Sequence, residues 1–504
     1  MKIVHAAAEV FPYAKTGGLA DMVGSLSGAL ADNGHNVSVF VPGYREVFEC
    51  LDAMPTAHLF KLKNDGGEVR AFSPRNNLTV FLLCNKKFFD RSGIYGVDGH
   101  DFDDNHERYL WFSKGVVEAM GQLKLQADVV HCHDWQTALL PMLLRHDEQQ
   151  SGVTLAGKTV FTVHNMSFQG QFPMKAFERT RTSTDVPGIE RCEHNGRINF
   201  LKGGLLFADQ VTTVSPQYAR EIQTIEFGCG LDEVIALRAS TLVGLLNGIS
   251  PYVWDPMTDV HLPAHYSAAN INGKNACRKE LLQRSFSDSD FAGPVFGMVC
   301  RLTEQKGLDL LLANKDFFLG NSRCIILGTG ERRYEEALGH LSDSASDQIC
   351  YYKRFDEIMS HLIEAGSDFF LMPSLYEPCG LNQMYSQLYG TVPIVSRVGG
   401  LFDTVVDADE QPGSGTGFTF PPTIHGFRDG LDRAVTLYTD KPRLAAVQQR
   451  GMRKNFGWSK AALAYERLYQ NSAGTTAESN YRHLQRHSID DLNGLSFKAA
   501  VHTS

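Results

Sequence analysis

Positive charge is in short supply in this chain: 48 Lys and Arg stand against 57 Asp and Glu, a formal charge of −9. That removes the basic surplus on which binders of nucleic acid or anionic membranes rely. Any anionic ligand must then be held by a few local cations. No apolar run approaches the roughly 20 residues that a membrane-spanning helix needs. The amino-terminal apolar run is broken by Glu9 and is too short for a secretory core. The ten cysteines are scattered, with no C-x-x-C pair, which argues against a disulfide framework or a zinc site and fits a reducing cytosol. The expectation is a cytoplasmic protein with neither nucleic acid nor membrane as a partner.

What the chain has is length and repeated strand–helix alternation. At 504 residues, 43% of them apolar, it is too long for one core, and two large α/β domains are expected. Residues 2–8 read as a buried strand. The loop Phe11-Pro12-Tyr13-Ala14-Lys15-Thr16-Gly17-Gly18 follows, then a helical face of Leu19, Met22, Val23, Leu26 and Leu30, then a strand over 37–42. This opens a doubly wound parallel sheet. The loop is not G-x-G-x-x-G, which weakens a nicotinamide reading. Lys15 beside two glycines suits a phosphate instead. Strands over 78–83, 128–133, 159–163 and 210–215 continue the sheet, and the last three end in His133-Asp134, His164-Asn165 and Ser215. Ligands of such sheets lie at the carboxyl ends of the strands, so these polar endings share one rim. His131 and His133 are metal ligands by type, but no third ligand stands at a sensible spacing. Asp101, Asp103 and Asp104 read as the start of a helix rather than a cation site.

Leu242 to Ile249 reads as a last strand, followed by a linker marked by Pro251, Pro256 and Pro263. A second strand–helix series then runs through strands at 294–300, 323–328, 348–352, 368–373 and 391–396, with helices at 334–341, 358–365 and 381–389. Arg301 and Lys306 follow its first strand, and Arg offers phosphate a fork where Lys offers a point charge. Glu377 sits in the strand-to-helix turn Ser374-Leu375-Tyr376-Glu377-Pro378-Cys379-Gly380-Leu381-Asn382-Gln383, with Gly380 just ahead of free helical N–H groups that attract an anion. Gly399 and Gly400 echo Gly17 and Gly18 over too few residues to make a repeat. A last helix spans 458–469, and the tail from about Asn471 lacks periodicity and reads as poorly ordered.

Taken together, Lys15-Thr16-Gly17-Gly18-Leu19-Ala20-Asp21, His133-Asp134-Trp135, His164-Asn165, Asn247-Gly248, Arg301-Leu302-Thr303-Glu304-Gln305-Lys306-Gly307, Glu377-Pro378-Cys379-Gly380-Leu381 and Gly399-Gly400-Leu401 resemble bacterial glycogen synthases and plant starch synthases. The likeness runs from Met1 to about Tyr469. It implies two Rossmann-like domains of the glycosyltransferase B fold facing across a cleft: 1–248 on the acceptor glucan side, 249–455 on the nucleotide-sugar side, and 456–504 as a returning helix plus the tail. The implied reaction moves glucose from ADP-glucose to the non-reducing end of an α-1,4-glucan with retention, attack coming on the face of the leaving group. The same reaction with UDP-glucose, or another glucoside made by a related transferase, is the alternative. Glycogen or a malto-oligosaccharide is the implied acceptor, with no cofactor and no metal.

The resemblance also implies roles. Glu377, Arg301, Lys306, Asp134 and His164 would be catalytic. Lys15, Gly17, Gly18, Asn247, Phe355, Cys379, Gly380, Leu381 and Asn382 would join Arg301, Lys306 and Glu377 around the nucleotide sugar, Phe355 against the base where the family commonly has a tyrosine. Tyr95, His164 and Asn165 would meet the acceptor. Tyr385 stands where other B-fold transferases carry a second glutamate on the ribose.

Overall fold

The computed structural model describes residues 1–50, 57–63, 66–97, 99–179, 186, 188–250 and 252–471. Pro251 of the expected linker and the tail beyond 471 lie outside the described residues. The chain divides into two compact units. One comprises Met1–Thr213, Gly228–Val243 and the chain from Ala462, and the other Val214–Phe227 and Gly244–Ala461. The division is not a single cut at 248: a short stretch after Thr213 belongs with the second unit, and the last helix begins in one unit and ends in the other.

The first unit is built on a nine-stranded sheet. Its strands are β1 (Lys2–Ala6), β2 (Asn36–Pro42), β3 (Ala57–Lys61), β4 (Glu68–Arg75), β5 (Leu78–Cys84), β6 (Val129–His133), β7 (Thr159–Val163), β8 (Gln210–Thr213) and β9 (Leu242–Gly244), in the order β9-β8-β7-β6-β1-β2-β5-β4-β3. The parallel core runs through β8, β7, β6, β1, β2 and β5. β3 and β4 extend it as antiparallel edge strands, which the sequence pattern did not reveal. β6 and β7 are buried at every residue, as expected for parallel strands covered on both faces. Helix α1 (Gly18–Asp32) follows β1 and buries Leu19, Met22, Val23, Leu26 and Leu30. Helix α2 (Asn105–Gln122) starts beside Asp104, whose carboxylate takes Arg91 in a two-pronged pair at 2.6 and 2.7 Å instead of capping the helix.

The second unit carries a six-stranded parallel sheet, β10 (Val295–Val299), β11 (Arg323–Leu327), β12 (Ile349–Tyr352), β13 (Phe369–Met372), β14 (Val392–Ser396) and β15 (Phe418–Phe420), in the order β12-β11-β10-β13-β14-β15. Period-two alternation splits each strand between two cores. Phe296, Met298, Cys324, Ile326, Phe369, Leu371 and Ile394 face one side. Val295, Ile325, Leu327, Phe370, Met372 and Val395 face the other. The second side is covered by α3 (Asn272–Phe286) and α4 (Glu357–Gly366) through Cys277, Leu281, Met359, Leu362 and Ile363. Helices α5 (Asn382–Leu388) and α6 (Gly399–Thr404) follow β13 and β14, and α7 (Ile424–Thr439) and α8 (Lys441–Met452) close the first side through Phe427, Leu431, Leu444 and Val447. The last helix, α9, spans Trp458–Asn471.

One close approach fixes the loop that carries Glu377. Gly399 has φ +43°, and a β-carbon there would lie 1.9 Å from the Glu377 carbonyl oxygen. The neighbouring Gly400 N–H donates to that same carbonyl at 3.0 Å. The second glycine pair is therefore a backbone shelf under the Glu377 turn. Gly399→Ala is expected to cost at least about 1–3 kcal/mol of stability, the range for a strained non-glycine backbone, and to lower turnover by displacing Glu377. Denaturant unfolding and initial rates check this; an unchanged midpoint would contradict the shelf.

Candidate active site

In the second unit two strand ends meet. Past β10 the chain passes Arg301 and makes a single helical turn over Glu304–Lys306. Past β13 it passes Ser374 and reaches Glu377. Leu375 N–H donates to Gln305 O at 2.8 Å and Gln305 Nε2 to Tyr376 O at 3.2 Å, so the two loops are sewn together. Lys306 Nζ thereby stands 2.7 Å from Glu377 Oε2, and Ser374 Oγ donates to the same oxygen at 2.9 Å. Glu377 is only 6% exposed. Arg301 is exposed, with no carboxylate partner among the described residues.

These groups share one pocket with Gly380, Leu381, Asn382 and the strand-end residues Val299 and Met372. Lys306 is thus half of an ion pair rather than the uncommitted cation read from the sequence. An ammonium has three donors, so Lys306 can keep Glu377 and still meet an incoming phosphate. Asn382 donates through Nδ2 to Val299 O at 3.2 Å. The Asn247 backbone hydrogen-bonds the Cys379 thiol, whose pKa burial pushes up to about 12. Asn247 also holds a buried Oδ1 with no partner among the described residues. Phe355 stands apart from this lining, 89% exposed on the turn after β12. Tyr385 is not in the pocket either; it stacks on Trp254 with ring centroids 3.9 Å apart.

In the first unit the organising group is Glu9, which sequence reading used only as an interruption of an apolar run. It is 3% exposed. It accepts from Thr16 N at 2.5 Å, Thr16 Oγ1 at 2.8 Å, Gly17 N at 3.2 Å and Tyr95 Oη at 2.5 Å. Gly17 therefore has its N–H committed to a carboxylate. Lys15 is exposed and pairs with Asp21 at 2.8 Å, while Gly18, the first residue of α1, is exposed. Tyr95, expected at the acceptor, donates its hydroxyl to Glu9. A lone acid directly after a buried strand was the available signal for Glu9.

Asp134 follows β6 with φ +54°, a left-handed conformation that few non-glycine residues adopt. It accepts from the backbone N–H groups of His164, at 2.7 Å, and Asn165. Burial raises its pKa to about 7. Asn165 turns its side-chain oxygen onto Ser167 N at 3.0 Å. Behind Asp134 runs a histidine relay. His164 Nε2 lies 3.2 Å from His133 Nδ1, and His133 Nε2 lies 3.0 Å from His5 Nδ1. Register pairing of β1 with β6 sets His5 opposite His131. The third histidine that spacing failed to supply is therefore present, brought in from 126 residues away.

Residues 2–237 match the starch synthase catalytic domain, and 283–451 match the glycosyl transferases group 1 family. A glycogen synthase of Opitutus terrae is 58% identical, over 94% of this chain and 100% of that one. A glycogen synthase of Myxococcus xanthus is 43% identical, over 94% and 99%. Among solved structures, the catalytic domain of starch synthase IV from Arabidopsis thaliana, bound to ADP and acarbose, superposes with a TM-score of 0.82 at 30% identity, covering 94% of this chain and 99% of that one. The fold is that of a glycosyltransferase of the B fold. The chain belongs to the glycogen synthase family, and its substrates are a nucleotide-sugar donor and a glucan acceptor.

The buried relay gives a pH dependence. Burial holds His5 and His164 at about 3 and keeps His131 and His133 well below the ordinary 6.5. Their stabilising contribution is complete above about 6.5 and is lost as pH falls toward 3, because the unfolded chain takes up the protons. Asp134 has the opposite sign: its folded pKa lies above the ordinary 3.8, so its contribution is complete below about 4 and is lost as pH rises through 7. Unfolding at pH 5 should therefore take up about four protons at the histidines and release about one from Asp134. The buried Glu364, raised well above its ordinary value, also releases a proton on unfolding, so the difference between variants is the readout: calorimetry in two buffers of different ionisation enthalpy should show Asp134→Asn raising net proton uptake by about one. An unchanged uptake would contradict the assignment.

Proposed function

We propose that the chain transfers glucose from ADP-glucose to the non-reducing end of an α-1,4-glucan with retention of configuration. The observation that carries this reading is the pocket at the ends of β10 and β13, where Arg301 and Lys306 stand beside the buried Glu377, in a chain 58% identical to a glycogen synthase. The choice of ADP is supported by the 30% identical starch synthase whose structure holds ADP.

Cleavage of the sugar–phosphate bond leaves negative charge on the diphosphate and an electron-poor ring. Arg301 and Lys306 neutralise the leaving group, and fixed cations act most strongly where water is excluded. Glu377, held in place by Ser374 and Lys306, steadies the hexose through a hydroxyl. The acceptor hydroxyl attacks on the leaving-group face, and the departing phosphate takes its proton. Within the second unit Asn247 lines the sugar. Within the first unit Lys15 and the exposed Gly18 suit an anion, and Asn165 meets the glucan. The exposed ring of Phe355 supplies a stacking face for the base. Ten free thiols fit a cytoplasmic location.

Purified protein with glycogen should turn over ADP-glucose well ahead of UDP-glucose. Equal rates, or a preference for UDP-glucose, would overturn the donor assignment. Arg301→Ala and Lys306→Ala should each lower kcat by about 10²–10³, the loss typical of one electrostatic donor. Near-normal kcat in either variant would remove its role.

A further inference from the structure

The second unit holds a second cluster of ligating side chains, away from the pocket lining. His361 lies in α4 with its side chain 1% exposed. Its Nδ1 meets Asp259 Oδ2 at 2.7 Å, and Tyr389 donates to the same oxygen at 2.6 Å. Trp254 lies flat on its ring, with centroids 3.8 Å apart and planes 6° apart. The ring is thus fixed in plane and tautomer, Nδ1 protonated toward the carboxylate. Its other nitrogen, Nε2, is buried with no hydrogen-bond partner among the described residues.

Two further donors lie close to this side chain. Glu357 opens α4 one turn before His361, and residues four apart share a helix face. His261 is positioned by the same Asp259, whose Oδ1 accepts from His261 N at 2.9 Å. One ligand atom each from His261, Glu357 and His361 lies within 4.8 Å of the others. Neither the His261 ring nor the Glu357 carboxylate has an ion-pair partner among the described residues.

We propose that His261, Glu357 and His361 bind one divalent transition-metal ion of the zinc class, at a site distinct from the transferase pocket. Two imidazoles and a carboxylate suit zinc, with water in the fourth position. Metal–ligand distances of about 2.0–2.1 Å require donors drawn to roughly 3.4 Å of each other, a closure that the partly exposed His261 and the exposed Glu357 make by rotation. A histidine that gives its far N–H to a carboxylate is the supporting arrangement of metal-binding imidazoles. The His5–His131–His133 cluster is more fully committed: His131 is taken by Tyr469 and Thr162 and His133 by His5 and His164, so only His5 Nε2 is left without a partner among the described residues. A bound ion would pin the segment Trp254–Tyr266 to the start of α4, two residues past Phe355.

Chelator-stripped full-length protein, titrated with zinc sulfate, tests this. One equivalent should bind and raise Tm, and His261→Ala and Glu357→Gln, both at accessible positions, should each weaken that equivalent at least tenfold. Cobalt(II) in place of zinc should give visible d–d bands without a thiolate charge-transfer band, since thiols also exist at the exposed Cys50 and Cys229. No bound equivalent, binding retained in either variant, or a thiolate band would overturn the site. Glucosyl transfer is not the readout, so the test stands apart from that of the proposed reaction.

Discussion

The contact between Lys306 and Glu377 is the one on which the second unit's chemistry hangs. A 2.7 Å ion pair mostly removed from water holds only if both partners are fixed, since separating buried charges is costly and each needs further hydrogen bonds. The fold supplies those conditions from both sides. Backbone and side-chain bonds tie the Lys306 turn to the Glu377 loop, Ser374 takes a share of the carboxylate, and Gly399 and Gly400 press from beneath. The pair holds an acid and a cation together in one pocket. In the proposed reaction a diphosphate beside Arg301 meets groups already in place, which is the economy of preorganisation.

The first unit solves a related problem with different groups. Glu9 gathers Thr16, Gly17 and Tyr95 into one buried network, so the glycine-rich loop is shaped by a carboxylate rather than left open. Asp134 sits in a left-handed conformation behind the His164 turn, and non-glycine residues persist there only when their surroundings overdetermine them. The neutral histidines behind it form that surrounding. Their depressed pKa values make the interior of this unit sensitive to acid although no acid–base step has been assigned to them.

Much of the fold was legible because parallel strands advertise themselves. Stretches such as Thr159–Val163 and Val392–Ser396 are short runs rich in β-branched and aromatic residues, and the structure places strands there. Charged and very short strands were not legible: Glu68–Arg75 carries charges and is only half-buried, and Phe418–Phe420 is three residues long. Helix α3 escaped because Lys274 occupies one of its core positions, its ammonium satisfied by Ala365 O, Tyr389 O and Thr391. At the site, Arg301, Lys306 and Glu377 could be found from chain position alone. The partnership of the last two could not, because 71 residues and three strands lie between them in the chain. Glu9 and His5 were hidden for the same reason: their roles arise from register and loop closure, which one-dimensional spacing does not encode.

A crystal structure of the protein soaked with ADP would test the central claim most directly. The account predicts the diphosphate against Arg301 and Lys306, with Glu377 beside the place vacated by the hexose. ADP bound elsewhere, with the Lys306–Glu377 pair undisturbed and Arg301 in solvent, would contradict it.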